Sequence, residues 1–409
     1  MNLIIISPHG RSGSLLMHSL FDQHPEVASL PIFFEYPDWE YHDSTQFCLD
    51  KFIKDNYSIF NIAQGYLGAV GINTTSLLGL DGKENIIVSR DKFLENANNL
   101  LKNYLNTGIN RKIFVEFIHL AYYQTLGFNI DQVKYILIHI HDYTKEEHFK
   151  ALSDYKSLKY LAMTRDPRED WISEKKVFEV RNPSLINIFF KFRLYNHSMN
   201  YRSHINYLNN FCNIVNKDQV QIIDLNKFHS LNKEGMKALC SWIGIDFIDS
   251  LLLSTFIGKT WHGNAANRDS ITGFNAEKAI FKWPKLLSSY EENFISSILK
   301  EEISYLGYKK INSNTSKFNQ IEYLPSFLGI VNFHFLYYIS KIKNTLKAKT
   351  FYNKYIVKLP FFLAKFLLLV IRVIEIYKMI INIYKDSNKV KSGEVLKSNL
   401  KKRINAYFL

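Results

Sequence analysis

Residues 3–23, LIIISPHGRSGSLLMHSLFDQ, decide the fold of this chain. Residues 3–7 form a short apolar run rich in isoleucine, which is typical of a buried parallel strand. Residues 8–13 supply turn residues, and residues 14–23 place apolar side chains at helical spacing until His24-Pro25 ends the pattern. The chain therefore opens with a strand, a glycine-containing turn and a helix.

The same alternation of strand and helix continues along the sequence. We predict further strands at 133–141, 157–164 and 219–224, and helices at 91–105, 118–127, 185–215 and 233–243. Strands that alternate with helices predict an α/β fold, a three-layer sandwich with a central parallel sheet. We place this domain at residues 1–322 and a basic, apolar helical extension at residues 323–409.

Composition limits the class of protein and its compartment. The chain has 409 residues, of which 47% are hydrophobic, and this is a globular composition. Cys48, Cys212 and Cys240 are too few and too widely spaced for a disulfide framework or a metal site. The first ten residues lack the basic start and long apolar run of a signal peptide, so we expect a cytoplasmic protein.

The net charge of +13 belongs to the C-terminal extension. From Pro325 onward there are 16 Lys and Arg against 3 Asp and Glu, so the rest of the chain is balanced. A nucleic-acid partner is not expected, because a protein that binds nucleic acid would carry a basic stripe on the folded module itself.

Charges interrupt the apolar stretch 359–384. Each charge costs about 2.5–3.5 kcal/mol at a bilayer centre, so we do not expect this stretch to span a membrane. The extension either lies on an anionic membrane surface or packs on the main domain.

The first turn has the chemistry of an anion site. A helix N-terminus presents N–H groups with partial positive charge, and glycine lets the backbone approach an anion closely. Arg11 adds a forked cation, and nearby serines add hydroxyl donors. This is not a Walker A loop, because no lysine follows the second glycine. We predict a phosphate-binding loop; the alternative is an ordinary turn with both glycines at positive φ. The predicted loop residues are Gly10, Arg11, Ser12, Gly13, Ser14 and Leu15.

A second anion site is predicted after the strand at 157–164. Arg165 follows this strand directly, and Ser173 lies about two turns into the next helix. Both side chains can reach one phosphate at the carboxyl edge of a parallel sheet, where ligands of such folds bind. The alternative is helix capping by Asp166, with Arg165 as surface charge.

These motifs resemble those of sulfotransferases that use 3′-phosphoadenosine-5′-phosphosulfate (PAPS). Residues 8–16 with His24-Pro25 are similar to the 5′-phosphosulfate loop, most of all that of the Golgi type, and Ser14 stands where a threonine is common. Arg165 and Ser173 match the 3′-phosphate site of that family. The resemblance implies transfer of a sulfuryl group from PAPS to a hydroxyl or amine. We expect a carbohydrate acceptor, or a glycolipid if the C-terminal extension contacts a membrane, and the residues in these motifs do not require a metal.

Residues 254–264 are similar to the cofactor-covering loop of these sulfotransferases. Lys259 and Gly263 are kept, whereas Gly258, Thr260 and Asn264 replace an arginine, a glycine and an aspartate. The resemblance implies that this loop covers the nucleotide. The alternative is a structural turn.

Two residues are candidates for the general base, which removes a proton from the acceptor molecule. The Golgi-type resemblance implies Glu35, whose pKa the apolar run at 30–34 would raise. The cytosolic type implies His141, at the end of the strand before the 3′-phosphate strand. We favour Glu35 because the first loop is Golgi-like, and we expect Arg11 to stabilise the bridging oxygen.

Two other functions remain open from the sequence. One is a P-loop kinase or nucleotidase, against which the missing Gly-Lys-Ser/Thr string argues. The other is a membrane-associated protein that binds the 3′,5′-bisphosphate and has no catalytic activity.

Overall fold

The computed structural model describes most of the first 308 residues. The described residues are 1–31, 33–34, 36–37, 41–42, 45–60, 78–81, 84, 86–104, 108–140, 147–181, 186–263, 273–279 and 283–308. The predicted C-terminal extension at 323–409 lies outside them, so that division of the chain stays a prediction.

Strands and helices alternate over this range. The strands are β1 (Asn2–Pro8), β2 (Val27–Ser29), β3 (Tyr41–His42), β4 (Ile109–Asn110), β5 (Tyr135–His139), β6 (Leu158–Thr164), β7 (Val220–Asp224), β8 (Thr255–Phe256) and β9 (Lys259–Thr260). The helices are α1 (Ser14–Leu20), α2 (Thr45–Asp55), α3 (Arg90–Leu101), α4 (Arg111–Thr125), α5 (Glu147–Asp154), α6 (Pro167–Arg181), α7 (Ile186–Ile214), α8 (Leu225–Ile243), α9 (Ala276–Ala279), α10 (Trp283–Leu286), α11 (Ser289–Ile298) and α12 (Lys300–Tyr305). None of the helices that the structure describes is both long and apolar enough to cross a lipid bilayer.

The side chains of β1 alternate between two buried cores. Leu3 and Ile5 pack into the core on one face of the sheet, with side chains of α4 and α7. Ile4 and Ile6 pack into the core on the other face, with side chains of α1 and α8. Successive strand residues point to opposite faces, so an unbroken apolar strand requires helices on both. The fold is therefore a three-layer α/β sandwich, as predicted.

The order of strands creates a crevice beside β1. The described strands form a five-stranded parallel sheet in the order β2-β5-β1-β6-β7. The helix after β1, α1, packs on one face, whereas Trp171 of α6, the helix after β6, packs in the core of the other face. The helices that follow β1 and β6 therefore lie on opposite faces of the sheet, and ligands of open α/β sheets bind at such a switch point.

Two predicted helices begin earlier than the periodicity indicated. α4 begins at Arg111 because the side chain of Asn110 accepts the N–H of Ile113. α8 begins at Leu225, after the Asp224 cap, but Asn232 breaks its regular backbone with φ 46° and ψ −114°. The apolar spacing therefore predicted only the part of α8 that follows this break, at residues 233–243.

A glycine near the start of α1 gives a stability prediction. Gly13 has φ 83°, and a Cβ placed on it would lie 2.5 Å from a side-chain carbon of Leu225. We expect Gly13→Ala to lower the free energy of unfolding by about 2–4 kcal/mol, from backbone strain and overpacking, in urea titrations. Gly10→Ala is the matched control, since its added Cβ meets no atom within 4 Å. Equal stability of the two variants would contradict this packing.

Candidate functional site

The two predicted anion-binding segments start on neighbouring strands. β1 and β6 run parallel, and the last pair in register is Pro8 with Met163. The N–H of His9 donates to the carbonyl oxygen of Met163 at 3.4 Å. Parallel strands end at the same edge of a sheet, so the loop after Pro8 and the segment that begins at Arg165 leave the sheet side by side.

The loop between β1 and α1 contains an unusual backbone conformation. Arg11 has φ 66°, and Gly13, the residue before the helix, has φ 83°. Positive φ is uncommon outside glycine, and strained backbone conformations cluster at functional sites. The sequence alternative placed both glycines at positive φ, but the structure places Arg11 there and not Gly10. Gly10 is exposed with open space at its Cβ position, so its backbone is accessible to a ligand.

The loop between β1 and α1 contacts helix α6 directly through a pair of side chains. The Nε–H of Arg11 donates to the hydroxyl oxygen of Ser173 at 3.1 Å, across 162 positions of sequence. Both residues are partly exposed. The structure therefore brings together one residue from each predicted phosphate-binding segment at the mouth of the crevice.

Arg165 is held by contacts on two sides. Its Nη2 lies 3.5 Å from the Glu169 carboxylate, and its side chain is 12% exposed. The hydroxyl of Tyr201 on α7 donates to the backbone oxygen of Arg165 at 2.8 Å. The N–H of Trp283 donates to Glu169 at 2.9 Å, which fixes that carboxylate. Arg165 thus has a defined place at the start of α6.

The capping role considered for Asp166 is present in the structure. The backbone N–H of Arg168 donates to the Asp166 carboxylate at 2.9 Å, and the Arg168 guanidinium binds the same carboxylate. Asp166, the residue before α6, therefore caps the N-terminus of this helix. Arg165 is not part of this cap, so capping by Asp166 and a binding role for Arg165 are compatible.

A buried acid–histidine pair lies beneath the loop, and the sequence analysis missed it. Nδ1 of His9 lies 2.7 Å from Oδ2 of Asp170 on α6, and the two side chains are 4% and 0% exposed. Burial alone would raise the pKa of Asp170, but the charges of His9, His197 and Arg165 lower it below its usual value. The available signals were a histidine inside the loop and an aspartate one helical turn before Ser173.

The remaining loop residues face inward. The hydroxyl of Ser12 donates to the backbone oxygen of His9, and Ser14 is buried at the first position of α1. Leu15 packs against the core. Ser12 therefore holds the loop in shape.

Lys259 lies in the β8–β9 hairpin and Gly263 follows this hairpin. Lys259 Nζ lies 2.6 Å from Glu84 Oε2, and Gly263 has φ 86°. The β8–β9 hairpin is held by the N–H of Gly258, which donates to Asp22 at 2.9 Å, just beyond the end of α1. α1 is seven residues long, so this end lies about 10 Å from its start. The role of the covering loop stays a prediction.

Both candidate bases, Glu35 and His141, lie outside the described residues. Within the described ranges, no cluster of three or more His, Cys, Asp or Glu is arranged to bind a metal ion.

Comparison with known proteins finds similar folds at low identity. No family model matches the chain, and no curated protein matches it. The sulfotransferase domain of the Synechococcus PCC 7002 olefin synthase is 13% identical, with a TM-score of 0.44, over 76% of this chain and 96% of that chain. The sulfotransferase domain from the curacin biosynthetic pathway is 14% identical, with a TM-score of 0.43, over 76% and 99%. Sulfotransferase STF9 from Mycobacterium avium is 13% identical, with a TM-score of 0.36, over 75% and 77%. With TM-scores below 0.5, these likenesses carry no weight in the proposal below.

A buried histidine beside the site makes stability depend on pH. Burial and the charge of Arg165 lower the pKa of His229 from 6.5 to about 4. The pKa of His229 is lower in the folded than in the unfolded protein, so protonation of this residue favours unfolding. Its contribution to the free energy of unfolding is fully present above pH 6.5. About 3 kcal/mol of this contribution is lost as the pH falls towards 4.

We expect His229→Asn to remove that share of the loss, because asparagine does not titrate and its oxygen can accept the Asn275 N–H that His229 Nδ1 accepts at 3.1 Å. Urea unfolding at pH 7.5, 6, 5 and 4 measures the difference. The same pH dependence in both proteins would show that His229 does not titrate in this window.

Proposed function

We propose that this chain is a sulfotransferase that transfers a sulfuryl group from PAPS to a hydroxyl or amine. The observation that carries the proposal is the contact between Arg11 and Ser173, which joins two segments that were each predicted to bind phosphate. The supporting observations are the exposed Gly10, the positive φ of Arg11 and the fixed place of Arg165.

A nucleotide with phosphates at both ends fits this arrangement best. PAPS has a phosphosulfate at the 5′ position and a phosphate at the 3′ position, whereas ATP has one phosphate chain. In the proposal, residues 10–15 bind the 5′ group, and Arg165 with Ser173 binds the 3′-phosphate. Arginine suits this role because its planar fork matches phosphate oxygens.

The proposed reaction is an in-line displacement at sulfur. An oxygen or nitrogen of the acceptor forms a bond to sulfur while the bond from sulfur to the 5′-phosphate oxygen breaks. The acceptor's proton goes to a base, for which Glu35 and His141 are the candidates. Arg11 would stabilise the negative charge that develops on the leaving phosphate, since charge stabilisation and positioning dominate transfers of this kind. The residues so proposed do not call for a metal.

The acceptor and the location of the protein are proposed from the sequence. We propose a carbohydrate or glycolipid acceptor, and a cytoplasmic protein whose basic extension contacts an anionic membrane surface. The support is the Golgi-like first loop and the concentration of the net charge from Pro325 onward.

The nucleotide assignment predicts a selective affinity. We expect adenosine 3′,5′-bisphosphate to bind without magnesium and more tightly than ATP or AMP, in titration calorimetry. Arg165→Ala should weaken this binding by about 10- to 100-fold, because it removes charged hydrogen bonds. Arg193→Ala is the matched control, since Arg193 pairs with Glu174, the neighbour of Ser173. Binding of ATP with magnesium in preference to the bisphosphate would support a kinase instead.

The choice of base predicts unequal effects of two substitutions. If Glu35 takes the proton, Glu35→Gln should lower the turnover of PAPS with a sugar acceptor by about 10²–10⁴-fold, while His141→Ala retains most activity. Binding of the bisphosphate should be unchanged in both variants, which separates loss of the base from loss of the nucleotide site. Equal activity of the two variants would contradict the assignment of Glu35.

A further inference from the structure

His9 occupies the buried side of the loop whose exposed side is Gly10. His9 is 3% exposed and Asp170 is fully buried, so neither lies on the surface that a nucleotide would contact. Burying a carboxylate is costly unless it is paired and hydrogen-bonded. Because the pKa of Asp170 is lowered, its carboxylate is ionised, and Nδ1 of His9 lies against it at 2.7 Å as its close polar neighbour.

Two contacts join this loop to α6, one helical turn apart. Asp170 and Ser173 are three residues apart and so lie on one side of the helix. His9 reaches Asp170 at 2.7 Å in the interior, and Arg11 reaches Ser173 at 3.1 Å near the surface. A single contact would let α6 pivot against the loop. Two contacts restrict both the distance between α6 and the loop and the rotation of α6 relative to the loop.

His9 also connects to Arg165 through α7. The ring of His9 packs edge-on against Tyr201, with ring centroids 4.6 Å apart. The hydroxyl of Tyr201 donates to the backbone oxygen of Arg165 at 2.8 Å. His9 therefore contacts the residues that hold both parts of the proposed 3′-phosphate site, Ser173 through α6 and Arg165 through Tyr201.

We propose that His9 is a positioning residue, which through its buried contact with the Asp170 carboxylate sets the distance between the two phosphate subsites. This inference rests on the proposed function. Its consequence is specific to a ligand with two phosphates. A nucleotide with one phosphate needs only one subsite to be in place, whereas a bisphosphate needs both at the correct separation.

Two substitutions of similar size and polarity test the contact between His9 and Asp170. Asparagine places an N–H group close to the position of Nδ1, so His9→Asn retains a polar contact with Asp170. Glutamine carries its donor one bond further out, near the position of Nε2, so His9→Gln displaces it. The control is His197→Gln, because His197 also lies 3.5 Å from Asp170 but belongs to α7.

The measurement is a ratio of affinities in titration calorimetry. The affinity for adenosine 3′,5′-bisphosphate is divided by that for adenosine 3′-monophosphate and, separately, by that for adenosine 5′-monophosphate. We expect His9→Gln to lower both ratios by about tenfold, the size of effect expected when one polar contact with a charged group is displaced. His9→Asn should stay within about threefold of the wild type, and His197→Gln should leave the ratios unchanged.

The outcomes separate this inference from the proposed function. If the wild type prefers the bisphosphate and His9→Gln keeps the wild-type ratios, the positioning role is wrong and the proposed function stands. If His9→Gln weakens all three nucleotides equally, His9 has only a general structural role. If the wild type itself does not prefer the bisphosphate, the proposed function fails and this inference fails with it.

A second variant keeps the test valid if His9→Gln does not fold. Asp170→Asn keeps the size of the side chain and removes the charge that orients the His9 ring. We expect it to lower the same two ratios, with folding verified by thermal unfolding. Unchanged ratios in a folded Asp170→Asn protein would overturn the positioning role.

Discussion

The parallel pairing of β1 with β6 extends from Leu3 with Leu158 to Pro8 with Met163. This pairing brings the loop after β1 and the start of α6 to one edge of the sheet. α1 and α6 then pack on opposite faces, so a crevice opens between the two connections. Arg11 and Ser173 meet at the mouth of this crevice. The candidate site therefore depends first on this one strand pairing.

The loop after β1 has a buried side and an exposed side with different roles. Its buried side carries His9 and the Ser12 hydroxyl, and these make the contacts that fix the loop in shape. Its outer side offers the backbone around Gly10 and the Arg11 guanidinium, which are accessible. An anion can be bound with little rearrangement only where the donors are already oriented, so the buried contacts support the function proposed for the exposed ones.

Local sequence patterns were sufficient for the fold class and for four of the five strands of the central sheet. The isoleucine run of β1 and the turn after it predicted the first strand, loop and helix, and Arg165 falls at the end of a strand as expected. β2 was missed because three residues are too few to show a period. The start of α8 was missed because Asn232 interrupts its helical spacing. The His9–Asp170 pair was missed for a different reason, since it joins residues 161 positions apart and depends on how the helices pack.

The central claim is that the crevice between β1 and β6 is a single site for a nucleotide with two phosphates. A crystal structure with adenosine 3′,5′-bisphosphate tests it most directly. The account predicts one phosphate against residues 10–15 and the other within hydrogen-bond distance, about 2.7–3.2 Å, of Arg165 and Ser173. A nucleotide bound at another edge of the sheet, or one that contacts only one of the two segments through phosphate, would contradict it.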